Sequence, residues 1–288
     1  MLRRAGLDMT ESIKISILVD DKAKEGLAAE HGFAVWVAAA GRQILFDTGQ
    51  GFTLPGNADK LGVSLSDADF LVLSHGHYDH GDGISFVLER APDIHLFCHP
   101  EVSNRRYSVQ AGAARAIHIS DAARYAIQKI PPDKLHWIAQ PFGIAPDLGV
   151  TGPIPRATDY EDTGGPFFLD ADGKQPDPIN DDNALWVQTG KGLVVIVGCS
   201  HAGLINTLNA ALRVSGASRL HAVIGGFHLL QASEKRLEST ASALKKLNPD
   251  LVVPCHCTGD LAVERLRREL GDRVSPGYAG ASYLLGET

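Results

Sequence analysis

Ser74-His75-Gly76-His77-Tyr78-Asp79-His80-Gly81-Asp82-Gly83 (residues 74–83) places three histidines and an aspartate within six consecutive positions, His75 to His80. The apolar run Phe70-Leu71-Val72-Leu73 immediately before it reads as a strand, so the cluster arrives at the end of a sheet. His75 and His77 lie two apart, and on an extended backbone they point to one side. Asp79 and His80 follow where glycines 76, 81 and 83 imply a turn. Neutral imidazoles and a carboxylate gathered there suit a divalent transition metal, above all zinc, with manganese, iron or magnesium as the other candidates.

Working outward, 288 residues at 44% hydrophobic content can bury a large α/β core. A formal charge of −7, with no run of lysines or arginines, argues against nucleic acid as a partner. No apolar stretch reaches the length of a bilayer span. Cys98, Cys199, Cys255 and Cys257 are too few for a disulfide framework, which fits a reducing cytoplasm. Residues 1–11 read as a flexible leader, since Arg3-Arg4 is not followed by the apolar core of a signal peptide. Residues 12–288 read as one domain with an insertion or lid at about 99–182, rich in prolines and aspartates.

The expected strands are Ile13–Val19, 33–38, Arg42–Phe46, 70–73 and 94–98 in the first half, then Ala184–Thr189, Gly192–Val197, 221–224 and 251–254. Helices are expected over Ile84–Arg90, 204–214 and 233–247, the last with Leu237, Ala241, Leu244 and Leu247 on one face. Ala262, Leu266 and Leu270 form the stripe of a final helix. Two similar halves, packed sheet to sheet with helices outside, accommodate this order.

Three later histidines also follow expected strands: His201 in Gly-Cys-Ser-His-Ala-Gly, His228 in Gly-Gly-Phe-His, and His256 in Cys-His-Cys-Thr-Gly. Strand ends are where ligands gather in open α/β sheets. His75, His77, Asp79, His80, His201 and His256 are therefore the candidate metal ligands, with His228 less firmly placed. Asp47, in Phe-Asp-Thr-Gly at 46–49, is either an ordinary turn aspartate or the carboxylate that orients a ligand histidine. Arg156 and Asp182 are candidates for substrate contact, beside the plainer reading that each lies in a solvated loop. Cys255 and Cys257 flank His256 on what reads as extended backbone and so should point away from it, as packing residues. Cys199 lacks an identifiable base, and His31, His95, His99, His118, His136 and His221 have no ligand context.

In its Asp47 turn, its His-x-His-x-Asp-His signature at 75–80, and His201 and His256 in order, the chain resembles the metallo-β-lactamase superfamily. The fragments FDTGQ, LSHGHYDH, GCSHAG, IGGFHL and PCHCTG are most similar to one branch of it. That branch includes the archaeal dihydropterin-ribofuranosylaminobenzene phosphate synthase of methanopterin biosynthesis and bacterial proteins called metal-dependent hydrolases. The resemblance implies an αββα sandwich with two metal sites at its edge, His75, His77 and His201 holding one and Asp79, His80 and His256 the other. It departs at the bridging aspartate that many two-metal members carry, because no acid lies between His201 and Glu234. Diiron oxygen-reducing relatives have glutamate where His77 stands, so Lewis-acid chemistry is favoured.

The function expected is hydrolysis of a small ester, phosphodiester or related substrate by a metal-activated hydroxide, with Asp79 orienting it and His228 stabilising developing charge. Two alternatives stand beside it. One is a transferase joining a dihydropterin pyrophosphate to ribofuranosylaminobenzene phosphate, and the other is a sensor that binds metal or ligand without catalysis. The partner is a small molecule, and a homo-oligomer is left open.

Overall fold

In the computed structural model, which describes residues 12–286, the strands form two facing sheets and a small third one. The expected leader lies outside the described residues. In chain order the strands are β1 (Ile13–Val19), β2 (Ala34–Ala39), β3 (Arg42–Phe46), β4 (Phe70–Val72), β5 (His95–Cys98), β6 (Tyr107–Gln110), β7 (Ala113–Ala116) and β8 (Leu135–Trp137). They continue with β9 (Phe142–Ala145), β10 (Leu148–Val150), β11 (Phe167–Phe168), β12 (Ala184–Thr189), β13 (Gly192–Val197), β14 (Leu220–Gly226), β15 (Leu251–Cys255) and β16 (Ser282–Leu285). The first sheet runs β16-β1-β2-β3-β4-β5-β8 and the second β15-β14-β13-β12-β10-β9. Within each, an antiparallel start gives way to a parallel run, β3-β4-β5-β8 in one and β13-β14-β15 in the other.

Alternation along the strands explains the layering. In β13, Val194 and Ile196 join Ile15, Val35, Ile44 and Val72 in the core between the sheets. Leu193, Val195 and Val197 point the other way, under Leu204, Leu208 and Ala211 of the helix α5 (Leu204–Ser215). β-branched residues facing apolar surface on both sides are what doubly covered parallel strands require. Helices α6 (Glu234–Leu247) and α7 (Asp260–Leu270) complete that outer layer through Ala241, Leu244, Ala262 and Leu266. On the opposite face, residues of α1 (Leu54–Lys60), α3 (Ile84–Arg90) and α4 (Asp121–Lys129) cover Leu45, Leu71 and Leu73. The result is the expected αββα sandwich. Ser233 caps α6 by accepting from the Arg236 backbone N–H, which fixes a start one residue after the expected boundary.

The segment 99–182 differs from a simple insertion. Its strand β8 extends the first sheet, while β9 and β10 extend the second. Only β6, β7 and β11 stand apart, as an antiparallel sheet of their own, and they carry residues that reach the strand-end histidines. The loop 152–182 is not simply solvated either. Glu161 accepts the backbone N–H groups of Ile205 and Asn206 at 2.8 and 3.0 Å, capping α5 from a distance. Among the described residues no helix is long and apolar enough to cross a membrane.

Candidate metal centre

The parallel strands of both sheets end on the same side of the sandwich, and the loops after them converge. His75 and His77 follow β4, His201 follows β13, His228 follows β14 and His256 follows β15. Asp79 and His80 sit on the short helix α2 (Tyr78–Gly81). The glycines of the motif are explained by space rather than by a turn: a Cβ at Gly76 would lie 2.0 Å from the Val102 carbonyl oxygen, and one at Gly83 would lie 2.5 Å from that of Thr48. Beneath Gly76 lies Arg106, fully buried, whose guanidinium donates to Asp177 at 2.9 Å and to both oxygens of Asp181 at 2.8 and 2.7 Å. Asp181 in turn accepts the Gly76 N–H at 2.8 Å. This buried ion cluster fixes the backbone between the two histidines.

Four histidines are tethered through Nδ1. His80 donates to Asp47 Oδ2 at 2.7 Å, His201 to the Thr163 carbonyl at 2.8 Å and His256 to Asp21 Oδ1 at 2.5 Å. Ser74 spends its hydroxyl proton on Asp47, so its oxygen accepts from His75 Nδ1 at 2.9 Å. Each tether selects the tautomer that leaves Nε2 for the interior of the site. Asp47 is thus more than a turn residue: one buried carboxylate orders His80 directly and His75 through Ser74.

Burial, followed by the neighbouring imidazoles, holds His75 and His201 well below their usual value. His77 is likewise held low, chiefly by burial, with Asp79 acting against it. Burial opposes charge on His80 too, but the carboxylates of Asp47 and Asp79 raise it. His256 is raised well above its ordinary value against the same burial, by Cys257, Asp21 and Asp79. Asp79, though buried, is held well below the carboxylate range by His80 and His256. Its Oδ2 lies 3.3 Å from His256 Nε2 and 3.9 Å from His80 Nε2.

These groups fit a divalent metal. His75 Nε2 lies 3.0 Å from His77 Nδ1, and among the described residues the Nε2 of His201 and the Nδ1 of His228 are buried without a hydrogen-bond partner. Buried polar atoms left unpaired cost about 1–3 kcal/mol each, and neutral imidazole nitrogens converging with a carboxylate are a transition-metal donor set. The six expected ligands all come together here. Backbone geometry marks the same place, since Asp47, Ser200, His228 and His256 adopt φ of +59°, +56°, +47° and +46°. Non-glycine residues in that left-handed region cluster at functional sites.

Three features escaped the sequence. His31 is half exposed, yet Asp21 binds its Nδ1 at 3.0 Å, and its Nε2 lies 3.3 Å from Asp79 Oδ2, so it mirrors His256 across the same two carboxylates. Sequence spacing gave no signal of this, because His31 lies in a loop brought over by tertiary packing. The cysteines are the second feature. His256 opens a 3-10 turn and breaks the alternation expected of extended chain, so Cys257 faces the site with its Sγ 3.3 Å from Cys199 Sγ. Cys199 Sγ also lies 3.1 Å from His80 Nε2. Cys255 does stay in the core between the sheets. Third, Arg115 on β7 lines the opening, its guanidinium 5.9 Å from the centre of the Tyr78 ring.

Arg156 and Asp182 are not placed as substrate contacts. Arg156 donates to the carbonyls of His201, at 2.8 Å, and of Pro178, while Asp182 is buried and accepts the Ala202 N–H at 2.6 Å. Both support the loop that presents His201. Burial pushes the Asp182 carboxyl up to about 7.

Above the histidines is a cavity of about 130 Å³ bordered by His77, Asp79, His201, His228, Arg115 and Phe167. It opens past His31, Arg115 and His228 into a second of about 190 Å³ that reaches Ser108 and Gln110. Phe167 packs edge-on to His201 with centroids 5.3 Å apart, and Gly164 lets the backbone run against His228, where a Cβ would meet Cδ2 at 1.9 Å.

Residues 42–141 match the sequence pattern of the β-lactamase superfamily domain. The solved structure of Tm1679, described as a metal-dependent hydrolase of the β-lactamase superfamily, superposes with a TM-score of 0.80 at 30% identity, covering 96% of this chain and 100% of that one. The chain belongs to the metallo-β-lactamase superfamily. Two Methanocaldococcus jannaschii relatives span nearly the whole of this superfamily member. An uncharacterized protein is 34% identical over 88% of this chain and 93% of its own length. The 7,8-dihydropterin-6-methyl-4-(β-D-ribofuranosyl)-aminobenzene-5'-phosphate synthase is 28% identical over 94% and 96%.

Proposed function

We propose that this superfamily member is a metal-dependent hydrolase acting on a small ester or phosphodiester with an anionic group. The observation that carries the reading is the convergence of six donors from both sheets at the floor of one cleft, with Nε2 of His75, His80, His201 and His256 directed inward. His75, His77 and His201 would hold one divalent metal, and Asp79, His80 and His256 a second, with zinc the best match to the donors. A metal held there would supply Lewis acidity and bring the pKa of bound water down to about 7.

The chain's own residues do the rest. Asp79, ionised and aimed into the cleft, orients the attacking water and takes its proton. His228, at the edge of the same cavity, donates to the developing negative charge or to the leaving group. Phe167 roofs the histidines and excludes bulk water, and Arg115 faces incoming anions at the mouth. Asp47 holds His80 and His75 in place, while Arg156 and Asp182 hold the loop of His201. Metal-replete protein assayed on phosphodiesters, esters, lactones and thioesters tests this. Turnover on one class that is lost in Asp79→Ala supports the reading, and no turnover on any of them removes it.

A transferase reading is favoured by one observation, the similarity over 94% of the chain to a synthase. In it, the same centre receives the pyrophosphate of a dihydropterin while ribofuranosylaminobenzene phosphate attacks. Incubating the protein with those two compounds and finding, by mass spectrometry, the product in which the amine nitrogen is joined to the pterin methylene carbon, with pyrophosphate released, would select it over hydrolysis.

A further inference from the structure

The donor set contains a group for which neither metal triad accounts. Cys199 has its sulfur within 4.8 Å of the donor atoms of His75 and His201, and equally within that distance of those of His80 and His256. It is therefore within ligand reach of both proposed metal positions at once. It is also buried, with its sulfur 3.1 Å from His80 Nε2.

The end of β14 supplies no donor between the two triads, because Gly225-Gly226 offers no side chain and no acid follows before Glu234. Nor is there room for one, because a Cβ on Gly226 would stand 2.7 Å from Cys257 Sγ and 2.5 Å from the Gly198 carbonyl oxygen. The Cys257 thiol and the Cys199 backbone fill the volume that such a side chain would enter. Of the two, Cys199 reaches both triads, whereas among the described residues the Cys257 sulfur comes within 4.8 Å of the donor atoms of His228 and Cys199.

We infer that Cys199 is the shared ligand of the centre, a thiolate that would contact both metals. As the metal–sulfur bonds form, the thiol proton leaves to solvent and the sulfur lone pairs are donated to the cations. A bridging thiolate tilts the site toward zinc, iron or cobalt and away from magnesium or calcium. It also makes the centre sensitive to thiol-directed reagents from the cleft side. This inference rests on the two-metal reading above but can fail without it.

The test is cobalt(II) titration of chelator-treated protein, read by absorption and by metal content. Wild type is expected to take up about two equivalents and to show an intense thiolate-to-cobalt band in the near ultraviolet. Cys199→Ser, close in size, is expected to lose most of that band and to bind its second equivalent at least about tenfold more weakly. Cys257→Ala is expected to keep the band. X-ray absorption on the wild-type zinc protein supplies a readout independent of any variant, with sulfur expected at about 2.3 Å. Metal uptake without a thiolate band, without sulfur near the metal, or with a band that survives Cys199→Ser and vanishes in Cys257→Ala overturns the role of Cys199 alone. Failure of wild type to bind any metal removes the two-metal reading itself.

Discussion

Asp47 and His80 form a fully buried pair, Oδ2 to Nδ1 at 2.7 Å, and the same Asp47 carboxylate accepts both the backbone N–H and the hydroxyl of Ser74. A single side chain at the end of β3 thereby sets the orientation of histidines assigned to two different metals. Asp47→Asn keeps the shape but removes the charge that orders His80 and, through Ser74, His75. Metal affinity, measured by competition with a chromogenic chelator, should fall by about 10–100-fold.

Arg106 is the second pillar. It neutralises Asp177 and Asp181 beneath Gly76 and has no solvent exposure. Arg106→Ala leaves two buried carboxylates without their cation, a loss of about 3–5 kcal/mol in such pairs. Urea unfolding should show that loss, and metal content should drop with it, because Asp181 anchors the backbone between His75 and His77.

Arg115 carries a different expectation, since it borders both parts of the cleft and forms none of the tethers of the histidines. Arg115→Ala should leave metal content unchanged. For anionic substrates it should raise KM by about tenfold or more, the equivalent of one hydrogen bond to a charged group. Steady-state kinetics on charged and neutral analogues measures the difference.

Asp182 gives a pH signature. Burial raises its folded-state value from 3.8 to about 7, so the fold prefers the protonated acid. Its contribution is fully present below about pH 4 and is lost as pH rises through about 7, with a slope of up to about 1.4 kcal/mol per unit. Asp182→Asn preserves an oxygen for the Ala202 N–H and has no proton to lose. Unfolding free energies across this range should therefore decline for wild type relative to the variant.

Much of this architecture is legible in the sequence because it is local. Alternating or continuous apolar runs mark β1, β13 and β15, and an apolar stripe marks α6. The six donors are legible for the same reason: each stands just beyond a strand or on the short helix after one, so the end of the sheet decides where it goes. What escapes is set by tertiary approach. His31 is carried to Asp79 by a loop whose sequence has no ligand spacing, and Arg106 reads as an ordinary surface arginine until two aspartates some 70 residues later close over it. Cys257 turns toward the site, against the alternation of extended chain, because His256 before it takes a left-handed conformation. Arg156 and Asp182 have the chemistry of substrate contacts, but backbone groups of the His201 loop claim both.

Metal content of the protein purified without chelator, compared with His77→Ala and His256→Ala, tests the central claim most directly. About two equivalents of a transition metal in wild type, falling to about one in each variant with folding retained by circular dichroism, is the predicted result. A folded wild-type protein that carries no metal and takes up none from added zinc would contradict it.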